Sequence, residues 1–248
     1  MTALSTTILT SEKAIEPYSE GLFNIVATIM QSGDEQNVKG SALMVAGRLI
    51  ASCGKDKIKP EYVTTFTNFG AIHLSGGSKF ELKETAITYF ADLSVFLGDN
   101  DFAPYFDKVI EEILKTCGED NDLKDAEKAE KAGGFSLDTD SDEGGEMTQY
   151  VDLANLDEKS SAINALGVMG MHVPKLMAGK LKDIMEGLET LQFHFHENVK
   201  YHVALTYMQI GFGMMKNHGQ IDEDDKFNWT KGDVANSQLP AEVQGYFD

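Results

Sequence analysis

Apolar residues recur at helical spacing over most of the chain. In NVKGSALMVAGRLI, Val38, Ala42, Val45 and Leu49 fall on one stripe, with Leu43, Ala46 and Ile50 beside it. An apolar face that wide predicts a helix packed on two neighbours rather than one. The same texture returns in ELKETAITYFADLS, DEKSSAINALGVMG and NVKYHVALTYMQIG. Alternation of apolar and polar residues, the mark of a half-buried strand, is absent over any useful length. The pattern predicts a chain made of helices.

Two markers order these helices. The five prolines, Pro17, Pro60, Pro104, Pro174 and Pro240, each stand at the head of a helical-looking segment. That position tolerates a missing N–H and suits the fixed φ of proline. Between them, the four segments quoted above align without gaps on Lys39, Lys83, Lys159 and Lys200. Three residues after each lysine comes Ala42, Ala86, Ala162 or Val203. Proline steps are 43, 44, 70 and 66 residues, and lysine steps are 44, 76 and 41. Each unit of about 43 residues therefore holds two helices, a period that marks HEAT or armadillo arrays. The expected fold is all-α, a right-handed α-solenoid of antiparallel HEAT helix pairs.

The 70-residue proline step and the 76-residue lysine step both span residues 118–147, where removing about thirty residues restores the period. This piece holds eleven acidic residues against three lysines, with Gly133-Gly134 and Gly144-Gly145 flanking its densest acidic run. Such a composition buries too little apolar surface to offset its ordering entropy, and it reads as a flexible acidic loop. A second insertion near 217–238 accounts for the last proline step. One array over 1–248 follows, with units near 1–16 (partial), 17–54, 60–98, 104–172 with the acidic loop, 174–216, and 217–248 (insertion plus partial unit). Neither end carries a polar capping repeat, so the array reads as an excerpt from a longer protein.

Charge narrows the partners. Lys and Arg number 21 against 40 Asp and Glu, a formal charge of −19, and Arg48 is the sole arginine. Nucleic acid is excluded as a partner, because phosphate contacts need Lys and Arg; positively charged proteins fit better. Cys53 and Cys117 sit in apolar helical patterns and read as buried free thiols of a reducing compartment. No signal peptide and no apolar run of membrane-spanning length is present, which excludes a membrane role and reads as soluble and intracellular.

At the lysine-marked helices the chain resembles the HEAT repeats of importin-beta (karyopherin-beta) nuclear transport receptors. NVKGSALMVAGRLI and ENVKYHVALTYM resemble the family's second-helix start, an aliphatic-basic pair followed by a small residue. ELKETAITYFADLSVFLGDNDFAPYFDKVIEEILKTC resembles the importin 4 and importin 5 type, with an alanine-aromatic second helix and an aromatic-Ala-Pro-Tyr turn. The resemblance runs from about residue 15 to 216, and the order of parts around the acidic insertion is its most specific feature. It implies a receptor in cytoplasm and nucleus that carries basic cargo, answers to the Ran GTPase and meets nucleoporins. In such receptors an acidic loop inside a central repeat meets Ran; in this loop Asp138, Asp140, Asp142 and Glu143, four acids within six positions, are the partner-binding candidates. Lysines and glycines among the acids, and Lys where HEAT repeats often carry Arg, depart from the family pattern. A structural HEAT scaffold of a phosphatase or chromosome-associated complex is the alternative.

Other motifs yield to plainer readings. Phe193-His194-Phe195-His196 with His202 clusters imidazoles, but the patch falls at a turn and only Glu197 adds a carboxylate, so no metal site is expected. Asp138-x-Asp140-x-Asp142 opens like a calcium loop, yet Glu143 and Gln149 stand where Gly and a bidentate Glu are needed. Gly76-Gly77 and Gly133-Gly134 lack a phosphate-loop context, and no cofactor is expected. Met169, Met171, Met177, Met185, Met208, Met214 and Met215 read as adaptable core. No nucleophile-base signature points to an enzyme. One aligned column, Arg48, Asp92, Val168 and Gln209, is polar in three of four units. Second helices of HEAT pairs line the concave face, which makes Arg48, Asp92 and Gln209 the groove-facing candidates.

Overall fold

A computed structural model describes residues 2–32, 35–75, 80–119, 123–125, 135–136, 149–151, 153–222 and 239–246. Ten helices carry the described chain: α1 (Thr2–Ser11), α2 (Ser19–Gln31), α3 (Gln36–Ser52), α4 (Pro60–Ser75), α5 (Phe80–Gly118), α6 (Leu153–His172), α7 (Pro174–Ala178), α8 (Leu181–Leu191), α9 (Glu197–Asn217) and α10 (Ala241–Gln244). Helix α5 is two helices joined end to end at Gly98, whose φ of 71° breaks the ladder. Only glycine takes that backbone cheaply, so the composition marks the joint between two units.

The helices form two layers. The lysine-marked helices stack edge to edge, α3 on α5, α5 on α6 and α6 on α9, with α1 on the outer side of α3. Their partners cover one side: α2 packs on α3, α4 on α5, and α8 on α5. Phe23 of α2 stacks on Tyr62 of α4 at 5.3 Å and on Phe66 at 6.3 Å. One apolar core runs the length of the stack, from Ile8 through Leu49, Phe90, Leu166 and Ile184 to Met214, each at most 4% exposed or less. Burial on this scale, at about 25 cal/mol per Å² of apolar surface, drives the stacking.

The proline markers are corrected in detail. Pro60 and Pro174 open α4 and α7, and Pro240 precedes α10. Pro17 instead lies inside a 3-10 turn over Glu12–Tyr18. Pro104 lies inside the second half of α5, because the helix restarts directly after Gly98 and buries Phe102. There the ring leaves the Asn100 carbonyl without its i+4 donor, a loss that falls in the second turn after the restart.

Within and just after the insertion, the described residues include three short strands, β1 (Leu123–Asp125), β2 (Phe135–Ser136) and β3 (Gln149–Val151), in the order β1-β3-β2. Both pairings are antiparallel, with Leu123 and Phe135 each opposite Val151. Asp138, Asp140, Asp142 and Glu143 lie outside the described residues, as do Gly76-Gly77 and Gly133-Gly134. Among the described residues, no helix is long and apolar enough to cross a membrane.

Candidate functional site

The seam between second helices is built from small residues. An added Cβ on Gly40 would lie 2.9 Å from Leu82 Cδ2, and one on Gly47 would lie 2.8 Å from Asp92 Oδ2 and 3.3 Å from Tyr89 Cα. On Gly170 it would lie 3.0 Å from the Cα of Ile210, and on Gly213 it would run into the carbonyl of Gly170. These close approaches hold successive second helices side by side, so one stripe of each remains open.

Gly47 leaves room for the one buried ion pair of the aligned polar column. Arg48 Nη1 bonds Asp92 Oδ1 across the α3–α5 seam, with the Arg48 side chain 21% exposed and Asp92 3% exposed. Burial pushes the Asp92 carboxyl up to about 7, against the opposing pull of Arg48. Asp92 Oδ2 and Arg48 Nε have no hydrogen-bond partner in this packing. Gln209 is half-buried, its Oε1 packed without a partner beside Gly167. The candidate column therefore lies at the seam, and Arg48 is the member through which a ligand would meet Asp92.

The lysine markers are seam residues too. Lys83 Nζ stands 2.9 Å from Glu158 Oε1 and 3.6 Å from Glu119 Oε1. Lys159, 4% exposed, donates to the Glu119 carbonyl at 2.8 Å. Glu158 is 2% exposed, and burial raises its carboxyl above the usual range while Lys83 lowers it. Two lysines from adjacent units thus clamp the end of α5 where the acidic insertion begins. Lys200 pairs locally with Glu197 at 2.6 Å.

The open stripe lies one to three turns before the Arg48 position. It carries Ser41 and Met44 on α3, Glu84 and Thr88 on α5, Asp157, Ser161 and Asn164 on α6, and Asn198, His202 and Leu205 on α9, all half-buried or exposed. Ser161 Oγ donates to Glu84 Oε1 at 3.0 Å, and Asn198 Nδ2 donates to Ser160 Oγ at 3.4 Å. Polar side chains fixed by such bonds are preorganised for a ligand. Sequence reasoning missed this stripe, although the alignment that found Arg48 holds it: the row Met44, Thr88, Asn164, Leu205 sits four positions earlier.

The histidine turn has a structural role. His194 Nδ1 accepts from the His196 N–H at 3.1 Å, and His196 Nδ1 accepts from the Asn198 N–H at 3.3 Å, capping α9. Among the described residues, no three His, Cys, Asp or Glu side chains are placed to hold a metal. Cys53 and Cys117 are buried free thiols, and burial pushes Cys117 up to about 12. A separate cleft of about 530 Å³ lies between Glu16, Glu20, Phe23, Asp56, Lys57 and Tyr62. Four of its charges are already paired, Lys59 with Glu20 at 3.1 Å and Lys57 with Asp56 at 3.0 Å.

No family model matches the chain, and no curated protein matches it. Solved structures do. A mutant of the karyopherin Kap121p aligns with TM-score 0.62 and 18% identity, over 84% of this chain and 20% of that one. Kap121p bound to the extreme C-terminus of the protein phosphatase Cdc14p aligns with TM-score 0.54 and 18% identity, over 86% of this chain and 25% of that one. Kap121p bound to Nup53p gives TM-score 0.53 and 19% identity, over 84% and 24%. The chain spans about a fifth to a quarter of the length of these karyopherins, and it shares their fold, an importin-beta-like stack of HEAT helix pairs.

Proposed function

We propose that this chain is a protein-binding scaffold of the nuclear transport receptor kind, and that its open second-helix stripe takes basic segments of cargo. The observation that carries the reading is the stripe itself: four stacked helices leave polar groups half-buried or exposed along one face, some of them held by hydrogen bonds between helices, in a chain of formal charge −19. An extended basic segment laid across the seams would meet Glu84, Asp157 and the asparagines in turn. Arg48 would take a carboxylate or backbone carbonyl of the same segment. Ran control, contact with nucleoporins and exchange between cytoplasm and nucleus extend the same reading, on the strength of the shared fold. Asp138, Asp140, Asp142 and Glu143 would steer basic partners toward the stripe.

The test is fluorescence anisotropy with a lysine-rich peptide. Reversing Glu84 and Asp157 to Lys should weaken binding by about tenfold or more, and binding should fall with salt. Replacing the four loop acids by Asn or Gln should slow association more than it speeds dissociation. Binding that ignores both the charge reversal and salt would refute the stripe. Release of the peptide by Ran loaded with GTP, but not with GDP, would support the receptor reading. Basic-peptide binding with no response to Ran would favour a static HEAT scaffold instead.

A further inference from the structure

Successive units also meet at the loops that leave their second helices, and one position closes two of these joints. Lys55 follows Gly54, and its ammonium reaches the next unit's Leu97 carbonyl at 3.3 Å and Asp101 Oδ2 at 3.4 Å, 5.6 Å from the centre of the Phe96 ring. Asp99 follows Gly98, and it accepts the Lys175 and Leu176 N–H groups of the unit after that. Each of these joints is closed by a polar side chain from the loop before it. The joint ahead of them differs. Between Glu16 to Glu20 on one side and Asp56 to Tyr62 on the other lies the cleft of about 530 Å³, and both of its walls belong to units that are present. It is a gap within the array, not its end.

Three carboxylates and two lysines line this cleft. Glu20 and Asp56 hold the two lysines, which leaves Glu16 as its uncompensated charge. Glu16 is half-buried, and among the described residues no cation pairs with it. Gly54 sits directly beneath. Its φ of −64° and ψ of 148° suit any residue, so the backbone does not call for glycine. What glycine leaves is room: a Cβ would lie 2.7 Å from Asp56 Oδ1 and 3.9 Å from Glu16 Oε1. Carboxylates from two units therefore border one small space.

We infer that this cleft binds an arginine side chain presented by a partner protein. The next joint shows the chemistry, because there the chain sets its own cation, Lys55, against a carboxylate, a carbonyl and a ring. A guanidinium suits the cleft better than an ammonium does. Its planar fork can bond Glu16 through two donors and still reach Asp56, whereas an ammonium is one point of charge. The methylene stem would lie along Pro17, Pro60 and Tyr62, which also line the cleft. The site is separate from the second-helix stripe. Gly54 lies past the C-terminal end of α3, roughly 15 Å along that helix from Ser41 and Met44 at 1.5 Å per residue.

Amide NMR of the whole chain, titrated with the capped peptide Gly-Gly-Arg-Gly-Gly, tests this. Saturable shifts at Gly54, Asp56 and Tyr62 are expected. Glu16→Gln keeps the shape, removes the charge and should weaken binding about tenfold or more, the worth of a hydrogen bond to a charged group. Gly54→Ala should also weaken it, by filling the space with no change of charge; unshifted amides in α5 and α6 check that the fold is kept. Glu84→Lys with Asp157→Lys reverses charge on the stripe and should leave this binding nearly unchanged at 0.15 M salt, where charges more than about 8 Å apart are screened. Failure of the stripe and failure of the cleft are thereby told apart. Peptides with lysine or uncharged citrulline in place of arginine should bind more weakly. A titration that leaves Gly54, Asp56 and Tyr62 unmoved would overturn the inference, as would shifts that ignore Glu16→Gln. A lysine peptide that binds as tightly as the arginine one would overturn it too, because the site would then read charge alone.

Discussion

Replacing Gly213 by alanine adds one methyl group at the tightest point of the stack. In an isolated helix the change would stabilise by about 1 kcal/mol, the helix-propensity gap between the two residues. In this fold the new Cβ would collide with the Gly170 carbonyl oxygen and lie 2.7 Å from its carbon. The obstacle is backbone, so no rotamer change relieves it. Helices α6 and α9 must part by roughly 1 Å, and a gap of that order forfeits a quarter to a half of the dispersion well for the atoms facing it. The residues affected, Ile163, Leu166, Val203, Ile210 and Met214, are at most 2% exposed. Overpacking costs typically 1–3 kcal/mol, and an unyielding neighbour belongs at the upper end. After the propensity gain is subtracted, a net loss of about 2 kcal/mol is expected. For a chain of this length that lowers Tm by roughly 4–8 °C. Gly21→Ala on α2 is the control, because its Cβ meets nothing within 4 Å and propensity alone should act. Thermal unfolding followed by circular dichroism measures both, and hydrogen exchange localises the weakening to α6 and α9. Gly213→Ala at or above the stability of the unaltered chain would refute the close approach of these helices.

Three further outcomes follow from the seam. Burial raises the Asp92 carboxyl to about 7, so the folded state holds its proton more tightly than the unfolded state; this stability is present below the unfolded value of 3.8 and is lost as pH rises toward 7. Urea unfolding at pH 5 and pH 7.5 should show that loss in the unaltered chain and a smaller one in Asp92→Asn. Asp99 Oδ1 accepts the backbone N–H groups of Lys175 and Leu176 at 2.9 and 3.2 Å, so Asp99→Ala should cost about 1 kcal/mol and raise hydrogen exchange at the start of α7. Lys83→Met strands the buried Glu158 and should destabilise by about 3–5 kcal/mol in urea unfolding, whereas Lys83→Met with Glu158→Met should recover most of that loss.

The helical period and its markers were legible because seam packing restricts what can stand there. Lys83 and Lys159 recur at one position because each reaches the neighbouring unit or the end of α5 from the first two turns of a second helix. Ala42, Ala86, Ala162 and Val203 recur because that position is buried in every unit. The prolines were less faithful. Pro17 and Pro104 tolerate a 3-10 turn and a helix interior near its start, and proline chemistry alone does not separate these from a first turn. Gly98 was the better boundary signal at 98–104, but a positive φ is not visible in a lone glycine. The open stripe stayed hidden for the opposite reason. Ser41, Glu84, Asn164 and His202 share no chemistry, since an open surface is not held to one residue type by packing. The strand pairing of Gln149–Val151 was masked by composition, because an acidic segment reads as unstructured whatever its short apolar pieces do.

The seam also sets how acidic the molecule is to a partner. Arg48, Lys83 and Lys159 are withdrawn into it, with side chains or residues no more than 21% exposed. Asp92, Glu158 and Glu119 are drawn in with them, at up to 32% side-chain exposure. Equal numbers of each sign leave the solvent-facing surface, so its excess of −19 is undiminished while its cations become scarcer relative to its anions. The buried pairs contribute little net stability, because desolvation offsets most of the attraction. Their larger effect is geometric. They fix the register between second helices, and register decides whether Glu84, Asp157 and Asn164 line up as one stripe. A partner that read the stripe would then depend on Lys83, Lys159 and Glu158, charges it need not touch. Weakening a buried pair should then loosen binding even where the exposed residues are intact.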